Sequence, residues 1–323
     1  MTMFRKVLVT GAGGFIGSNL VQALIKRGDK VHILTRPGSA RWRLADTIKH
    51  VKIYPVQTFN ERSIFNILKK AKLEVVFHLS HYGGNPNQND EAMVRKVNID
   101  ITSALFNACA KIDSIESIIH SGSSSEYGSK NKPMREDMVL EPNTAYGCAK
   151  AWSTLYGQYL AREKNIPITT LRLFSVFGYW EHLPRFMPSV ILAGLRGHPP
   201  QVSDPKIVRD FIFIDDVIRA LIMASEKKPV GEIINIGYGK QMELGKAVDI
   251  ILKNLKSKMG VKWGIGGRSF DKTNAIWQAD ISKAKKILGW KPKFTQEEGI
   301  IKTIKWFNDN QKLYEKVKSQ TTR

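Results

Sequence analysis

Short runs of apolar residues alternate along the chain with longer stretches in which apolar positions recur every three or four residues. Lys6 to Thr10 reads as a buried strand. Ser18 to Lys26 reads as a helix whose apolar face carries Leu20, Val21, Leu24 and Ile25. The pattern predicts strands over Lys30–Leu34, Val51–Val56, Glu74–Leu79, Ser117–His120 and Ile166–Leu173, with a returning strand at Ile233–Gly237. Helices fall between them: Glu61–Lys70, one starting near Asp90 (Val94, Val97, Ile101 and Leu105 on one face), one ending near Arg196, Leu244–Leu255 and one from Gln296. Strand and helix taken in turn predict an α/β fold with a doubly wound parallel sheet.

Three stretches carry chemistry. Gly11-Ala12-Gly13-Gly14-Phe15-Ile16-Gly17 lies between the first strand and its helix, where a dinucleotide-binding turn belongs. Gly11 allows the tight turn, Gly13 and Gly14 let a pyrophosphate approach the backbone, and Gly17 lets helix and strand pack closely. Tyr146 and Lys150 stand four residues apart on a predicted helix, so they share a face. An ammonium beside a phenol favours the phenolate, which lets the tyrosine exchange a proton with an alcohol or carbonyl oxygen near neutral pH. Finally, Ser121-Gly122-Ser123-Ser124-Ser125-Glu126-Tyr127-Gly128 follows a buried strand, and in open α/β sheets ligands bind beyond such strand ends.

Together these segments resemble the extended short-chain dehydrogenase/reductase family of nucleotide-sugar epimerases, dehydratases and 4-ketoreductases, from Val7 to about Phe307. The resemblance implies a Rossmann domain over 1–174, with 208–240 returning to it, and a nucleotide-sugar-binding lobe made of 175–207 and 241–323. It makes Tyr146 the general acid/base and Lys150 its activator, with Ser123 holding the reacting oxygen. The cofactor would meet the glycine loop with Phe15 and Ile16, then Thr35, Arg36, Gln57, Leu79 and Ser80. Asn98, Phe174 and the Tyr146–Lys150 pair complete its surroundings. The sugar nucleotide would meet His81, Ser124, Ser175, Arg185, Arg209, Arg268 and Asp271. Asp215 or Asp216 is expected to cap the helix after Phe213.

Departures from the family pattern are informative. No carboxylate follows the second strand; Arg36 stands where it could pair with a 2′-phosphate, with Arg41 and Arg43 in loop reach, so NADP is expected ahead of NAD. Ser124 and Ser125 replace the acid pair of the dehydratases. Glu126 comes one residue later, which in a strand means the opposite side. That argues against 4,6-dehydration. An NADPH-dependent reductase of a 4-keto-6-deoxy nucleotide sugar and a C4 epimerase with tightly held NAD both remain open. A cofactor-binding scaffold without chemistry is a distant third reading, because the tyrosine, lysine and serine are all present.

Composition narrows the setting. Two cysteines, Cys109 and Cys148, lie far apart and make no disulfide framework or metal spacing, and His78 and His81 read as packing and loop residues. No apolar run reaches the length of a membrane span, and the first strand begins too early for a leader, so a cytoplasmic protein is expected. The net charge of +21 would steer anions toward a cleft. The lysines are spread along helices with no nucleic-acid motif, and the tail beyond Lys316 is expected to fray. By analogy with relatives that pair through the Tyr146 helix, a homodimer is expected.

Overall fold

Alternation of apolar strands with amphipathic helices produces the expected doubly wound sheet in the computed structural model, which describes residues 5–85, 87–266 and 276–320. The first half runs β1 (Lys6–Thr10), α1 (Phe15–Arg27), β2 (Lys30–Thr35), β3 (Val51–Pro55), α2 (Glu61–Ala71), β4 (Val75–His78), α3 (Glu91–Arg95) and α4 (Ile101–Cys109). Next come β5 (Ser117–Ser123), the long α5 (Ala145–Lys164), β6 (Ile168–Leu173), β7 (Ser175–Phe177) and α6 (Phe186–Leu195). The remainder is β8 (Val208–Arg209), β9 (Phe211–Phe213), α7 (Ile214–Lys227), β10 (Ile233–Ile236), β11 (Met242–Glu243), α8 (Leu244–Asn254), α9 (Gln296–Asp309) and α10 (Gln311–Gln320).

The main sheet is ordered β10-β6-β5-β4-β1-β2-β3, and every pairing in it is parallel. Every residue of β4, β5 and β6 is buried, as expected of strands covered on both faces. Alternate residues feed two cores. Val7, Val9, Phe77 and Ile119 pack with Leu20 and Leu24 of α1 and Val217 and Leu221 of α7. Leu8, Val76 and Ile118 pack with Leu68 of α2, Phe106 of α4 and Leu160 of α5. The strand order reverses between β1 and β4, which opens a crevice beyond the carboxyl ends of those strands. Outside the main sheet β7 pairs with β9, and β8 with β11.

The structure bears out one local expectation and overturns another. The helix from Asp90 runs on to Cys109 as expected: Asp90 caps α3 through the Met93 amide (3.1 Å), and one π-helical turn, Lys96–Asp100, joins α3 to α4 without a break. Neither Asp215 nor Asp216 caps α7, where Phe213 holds the cap position without a side-chain bond. Asp216 instead accepts the amides of Lys293 (2.8 Å) and Phe294 (3.2 Å) and pairs with Arg219. That use ties a distant segment to α7, a demand no local pattern announces. At the carboxyl end α10 is helical to Gln320. Tyr314 fixes it, buried and donating to the Glu181 carbonyl (2.8 Å).

Candidate active site

The crevice is built first from backbone. Gly11 adopts φ +68°, and a Cβ there would lie 2.7 Å from the Leu79 carbonyl and the Ser80 amide, so β1 and β4 approach this closely only with glycine. A Cβ on Gly17 would sit 2.2 Å from the Gly11 oxygen, and one on Gly13 2.8 Å from the Ala40 oxygen. α1 starts at Gly14 with no side-chain cap and no acid in its first turn. Its leading N–H groups and dipole thus suit an anionic ligand such as a pyrophosphate. Thr10 ties the strand ends, its hydroxyl meeting His78 Nδ1 (2.8 Å) and the Ser80 amide (3.3 Å). Leu79 is buried beside this junction.

At the end of β2, Thr35 is half-buried and Arg36 exposed, and Gln57 is exposed after the buried Val56. Arg43 is not available to this region. It is buried and bonded to the Trp180 carbonyl (2.8 Å), to His182 Nδ1 (3.0 Å) and to the Gly13 carbonyl (3.4 Å). The expectation that it reaches a phosphate is corrected: it braces the glycine turn against the segment after β7.

Tyr146 stands at the first turn of α5, capped by the Thr144 hydroxyl on the Gly147 amide (3.0 Å). The Gly83-Gly84 backbone passes over its ring. A Cβ on Gly83 would be 3.2 Å from Tyr146 Cβ, and one on Gly84 4.0 Å from its phenolic oxygen and 2.9 Å from His81 Nε2. The His81 ring meets Tyr146 edge-on at 6.2 Å. Asn98 holds this loop from below: it accepts from the Tyr82 amide (3.2 Å) and donates to the Tyr82 carbonyl (2.7 Å) and the Val94 carbonyl (2.9 Å). Being buried and committed to backbone, Asn98 shapes the loop from inside the protein. Ser153 of α5 donates to the Asn98 carbonyl, which locks α5 to the same support.

Lys150, one turn after Tyr146, is 1 % exposed. Burial lowers its pKa from the usual 10.5 to about 8, against the pull of Glu126. The surrounding imidazoles are neutral near pH 7. Burial, then the Lys150 charge, brings His78 down to about 3 and His120 well below its ordinary value. The same causes lower His81, although its ring still reaches solvent, which moderates the effect. No side chain among them competes with Tyr146 as a proton donor at neutral pH.

The serine run is not extended. β5 ends at Ser123, and Ser124–Glu126 is a 3₁₀ turn in which the Ser123 hydroxyl accepts the Ser125 amide (3.1 Å). The expectation of strand geometry through Glu126 is therefore replaced by a turn. Its carboxylate points into the protein, where it accepts the Ser123 amide (2.7 Å) and pairs with Arg172 (2.7 Å). Ser123 and Ser124 are nearly buried, and Phe174 packs near Tyr127 at 6.5 Å.

On the opposite wall, Ser175 is half-buried and its amide donates to the Asp210 carbonyl (3.0 Å). Arg185 reaches across the crevice, donating to the Gly84 carbonyl (3.3 Å) and to Glu181 (2.8 Å). Burial raises Glu181 to about 7 despite that partner. Arg209 lies over the Trp277 ring at 5.4 Å and donates to the Val208 carbonyl (2.7 Å). Arg268 and Asp271 lie outside the described residues. The sequence alone did not reveal Glu181 or Gly147. Among the described residues no group of three or more His, Cys, Asp or Glu could hold a metal, and no helix is long and apolar enough to cross a membrane.

A glycine turn, a serine turn and a Tyr–Lys pair around one crevice match a known sequence profile, that of the NAD dependent epimerase/dehydratase family, over residues 7–237. The chain belongs to this family. Among solved structures it is similar to the UDP-N-acetylglucosamine 4-epimerase from Methanobrevibacter ruminantium in complex with UDP-N-acetylmuramic acid. Identity is 30%, TM-score 0.86, and coverage 96% of this chain and 100% of that one. The UDP-glucuronate 4-epimerase of Thermodesulfobacterium geofontis is 28% identical, over 96% of this chain and 98% of the relative. The dTDP-4-dehydro-6-deoxyglucose reductase of Escherichia coli is 26% identical, over 93% and 96%.

Proposed function

We propose that the protein is an NADPH-dependent reductase of the C4 carbonyl of a 4-keto-6-deoxy nucleotide sugar. The observation that carries this is the end of β2, where an exposed Arg36 follows Thr35 and no carboxylate is available to the adenosine ribose. The glycine turn and the first turn of α1 would hold the cofactor's pyrophosphate, and the bound cofactor would supply hydride to the carbonyl carbon. Tyr146 gives its phenolic proton to the oxygen as the carbonyl becomes an alcohol, and is reprotonated from solvent. Lys150 stabilises the phenolate by its charge, and the Ser123 hydroxyl holds the reacting oxygen. The oxygen lies where the Gly84 backbone leaves space beside Tyr146. Arg185 and Arg209 would face the diphosphate end of the substrate, and His81 and Ser124 the sugar.

A second reading, C4 epimerisation, is favoured by the epimerases among the similar proteins. It uses the same residues twice, once to remove hydride and proton from C4 and once to return them on the other face, and it needs an oxidised cofactor that stays bound. Dehydration is disfavoured because Glu126 is committed to Arg172. Two lobes, 1–174 with 208–240 and 175–207 with 241–323, and a homodimer formed through α5, complete the proposal. For the dimer, α5 carries an exposed stripe of Trp152, Leu155 and Tyr159.

The deciding experiment denatures the purified protein and identifies any released nucleotide. It then follows NADPH oxidation with dTDP- and UDP-4-keto-6-deoxy sugars. Empty protein that oxidises NADPH supports the reductase. Stoichiometric NAD⁺ with interconversion of UDP-sugars supports the epimerase instead. Turnover that survives Tyr146→Phe removes the proposed proton donor from both.

A further inference from the structure

Behind the serine turn, one carboxylate joins three elements out of contact with solvent. Glu126 is fully buried. Its Oε1 accepts the Ser123 amide (2.7 Å) and the Thr154 hydroxyl of α5 (3.0 Å), and its Oε2 accepts Arg172 Nε of β6 (2.7 Å). Thr154 follows Lys150 by one helical turn, so the carboxylate sits on the face of α5 that carries the lysine. Gly122 makes the approach possible, since a Cβ there would lie 2.8 Å from Oε1. Arg172 also donates to the Tyr127 hydroxyl (2.9 Å), which in turn donates to Asn235 (2.8 Å), so the far side of the pair is rigid.

The charge balance of this cluster is unusual. Lys150 and Arg172 are both buried cations, and Glu126 acts electrostatically on both. The other titratable groups around Lys150 are His78 of β4, His120 of β5 and His81 of the loop, all displaced toward the neutral form. Tyr127 is displaced upward, to about 12, and is neutral as well. A buried cation without a counter-charge gives up its proton readily.

We propose that Glu126 is a positioning residue for the catalytic pair: one carboxylate fixes the Ser123 backbone and supplies the counter-charge that keeps Lys150 protonated beneath Tyr146. Arg172 competes for the same carboxylate and so moderates its effect. The proposal rests on the reading of Tyr146, Lys150 and Ser123 given above, and it predicts effects of opposite sign. Glu126→Gln removes that counter-charge, so Lys150 loses its proton at lower pH and Tyr146 ionises at higher pH. Arg172→Met leaves the carboxylate to Lys150, and Tyr146 ionises at lower pH.

The test is an ultraviolet difference titration of tyrosinate, each protein read against itself carrying Tyr146→Phe, with melting temperature measured alongside. The expected result is a shift of the Tyr146 midpoint by about 1 pH unit upward in Glu126→Gln and downward in Arg172→Met. Midpoints that do not move while the melting temperatures fall, or that move in the same direction, overturn the proposal and leave Glu126 a structural ion pair. If Glu126→Gln does not fold, the double variant Glu126→Gln/Arg172→Met is titrated against Arg172→Met. An upward difference sustains the proposal and equal midpoints overturn it. The titration needs no substrate, so failure to turn over nucleotide sugars would remove the functional reading without altering this result.

Discussion

A Cβ placed on Gly147 would lie 2.5 Å from the carbonyl oxygen of Ser125, so α5 and the serine turn touch through bare backbone one residue after Tyr146. Pro142 Cβ (3.0 Å) and Thr144 Oγ1 (3.1 Å) close the same space. Gly147→Ala would improve helix propensity by up to ~1 kcal/mol and yet force helix and turn apart. Tyr146 and Ser123 would separate with them. The expected outcome is a loss of about 100-fold in kcat with cofactor Kd changed only a few-fold, checked by steady-state kinetics and cofactor titration.

Lys150 gives a pH dependence whose sign can be worked out. Its folded pKa, about 8, lies below the ordinary 10.5, so between these values the unfolded chain holds a proton that the folded chain has lost. Stability from this group therefore increases as pH rises through that window, and below pH 8 the buried charge costs the fold on the order of 3 kcal/mol. Lys150→Met should melt higher than the parent at pH 7, lose that advantage above pH 10, and be inactive throughout. Thermal melts across pH with parallel activity assays check both halves.

Arg36 is expected to set the cofactor. Arg36→Asp removes a cation from the end of β2 and supplies a carboxylate for ribose hydroxyls. The ratio of Kd for NADP to Kd for NAD should rise by about 10- to 100-fold. An unchanged ratio would mean that Arg36 does not meet a 2′-phosphate.

Trp152, Leu155 and Tyr159 form the exposed stripe of α5, with Leu155 55 % exposed near its middle. A charge within a buried interface is costly unless paired. In the proposed dimer, Leu155→Glu should leave only monomer at micromolar concentration, with little change in the melting temperature of the isolated subunit. Size-exclusion chromatography with light scattering reads the mass directly.

Much of the architecture was legible in local pattern. Periodicity places β1, β2, β3 and β6 and helices α1, α2, α8 and α9 within a few residues, because each element buries one face and repeats apolar residues accordingly. The strand–glycine–helix order marks the turn at Gly11–Gly17, since only glycine tolerates the approaches found there. The Tyr146 and Lys150 spacing follows from helical geometry alone.

What local pattern could not decide depends on groups far apart in sequence. Glu126 was assigned a side by strand alternation, but its orientation is set by Arg172, 46 residues away, and by the turn that Ser123 caps. Arg43 looked like a loop cation until Trp180 and His182 claimed it. Asp216 looked like a helix cap until the amides of Lys293 and Phe294 did the same. A buried charge or donor goes to the partner that satisfies it in three dimensions. Sequence alone therefore determined the sheet, the glycine turn and the Tyr–Lys step. Only tertiary structure decided which charges face the crevice and which are spent inside.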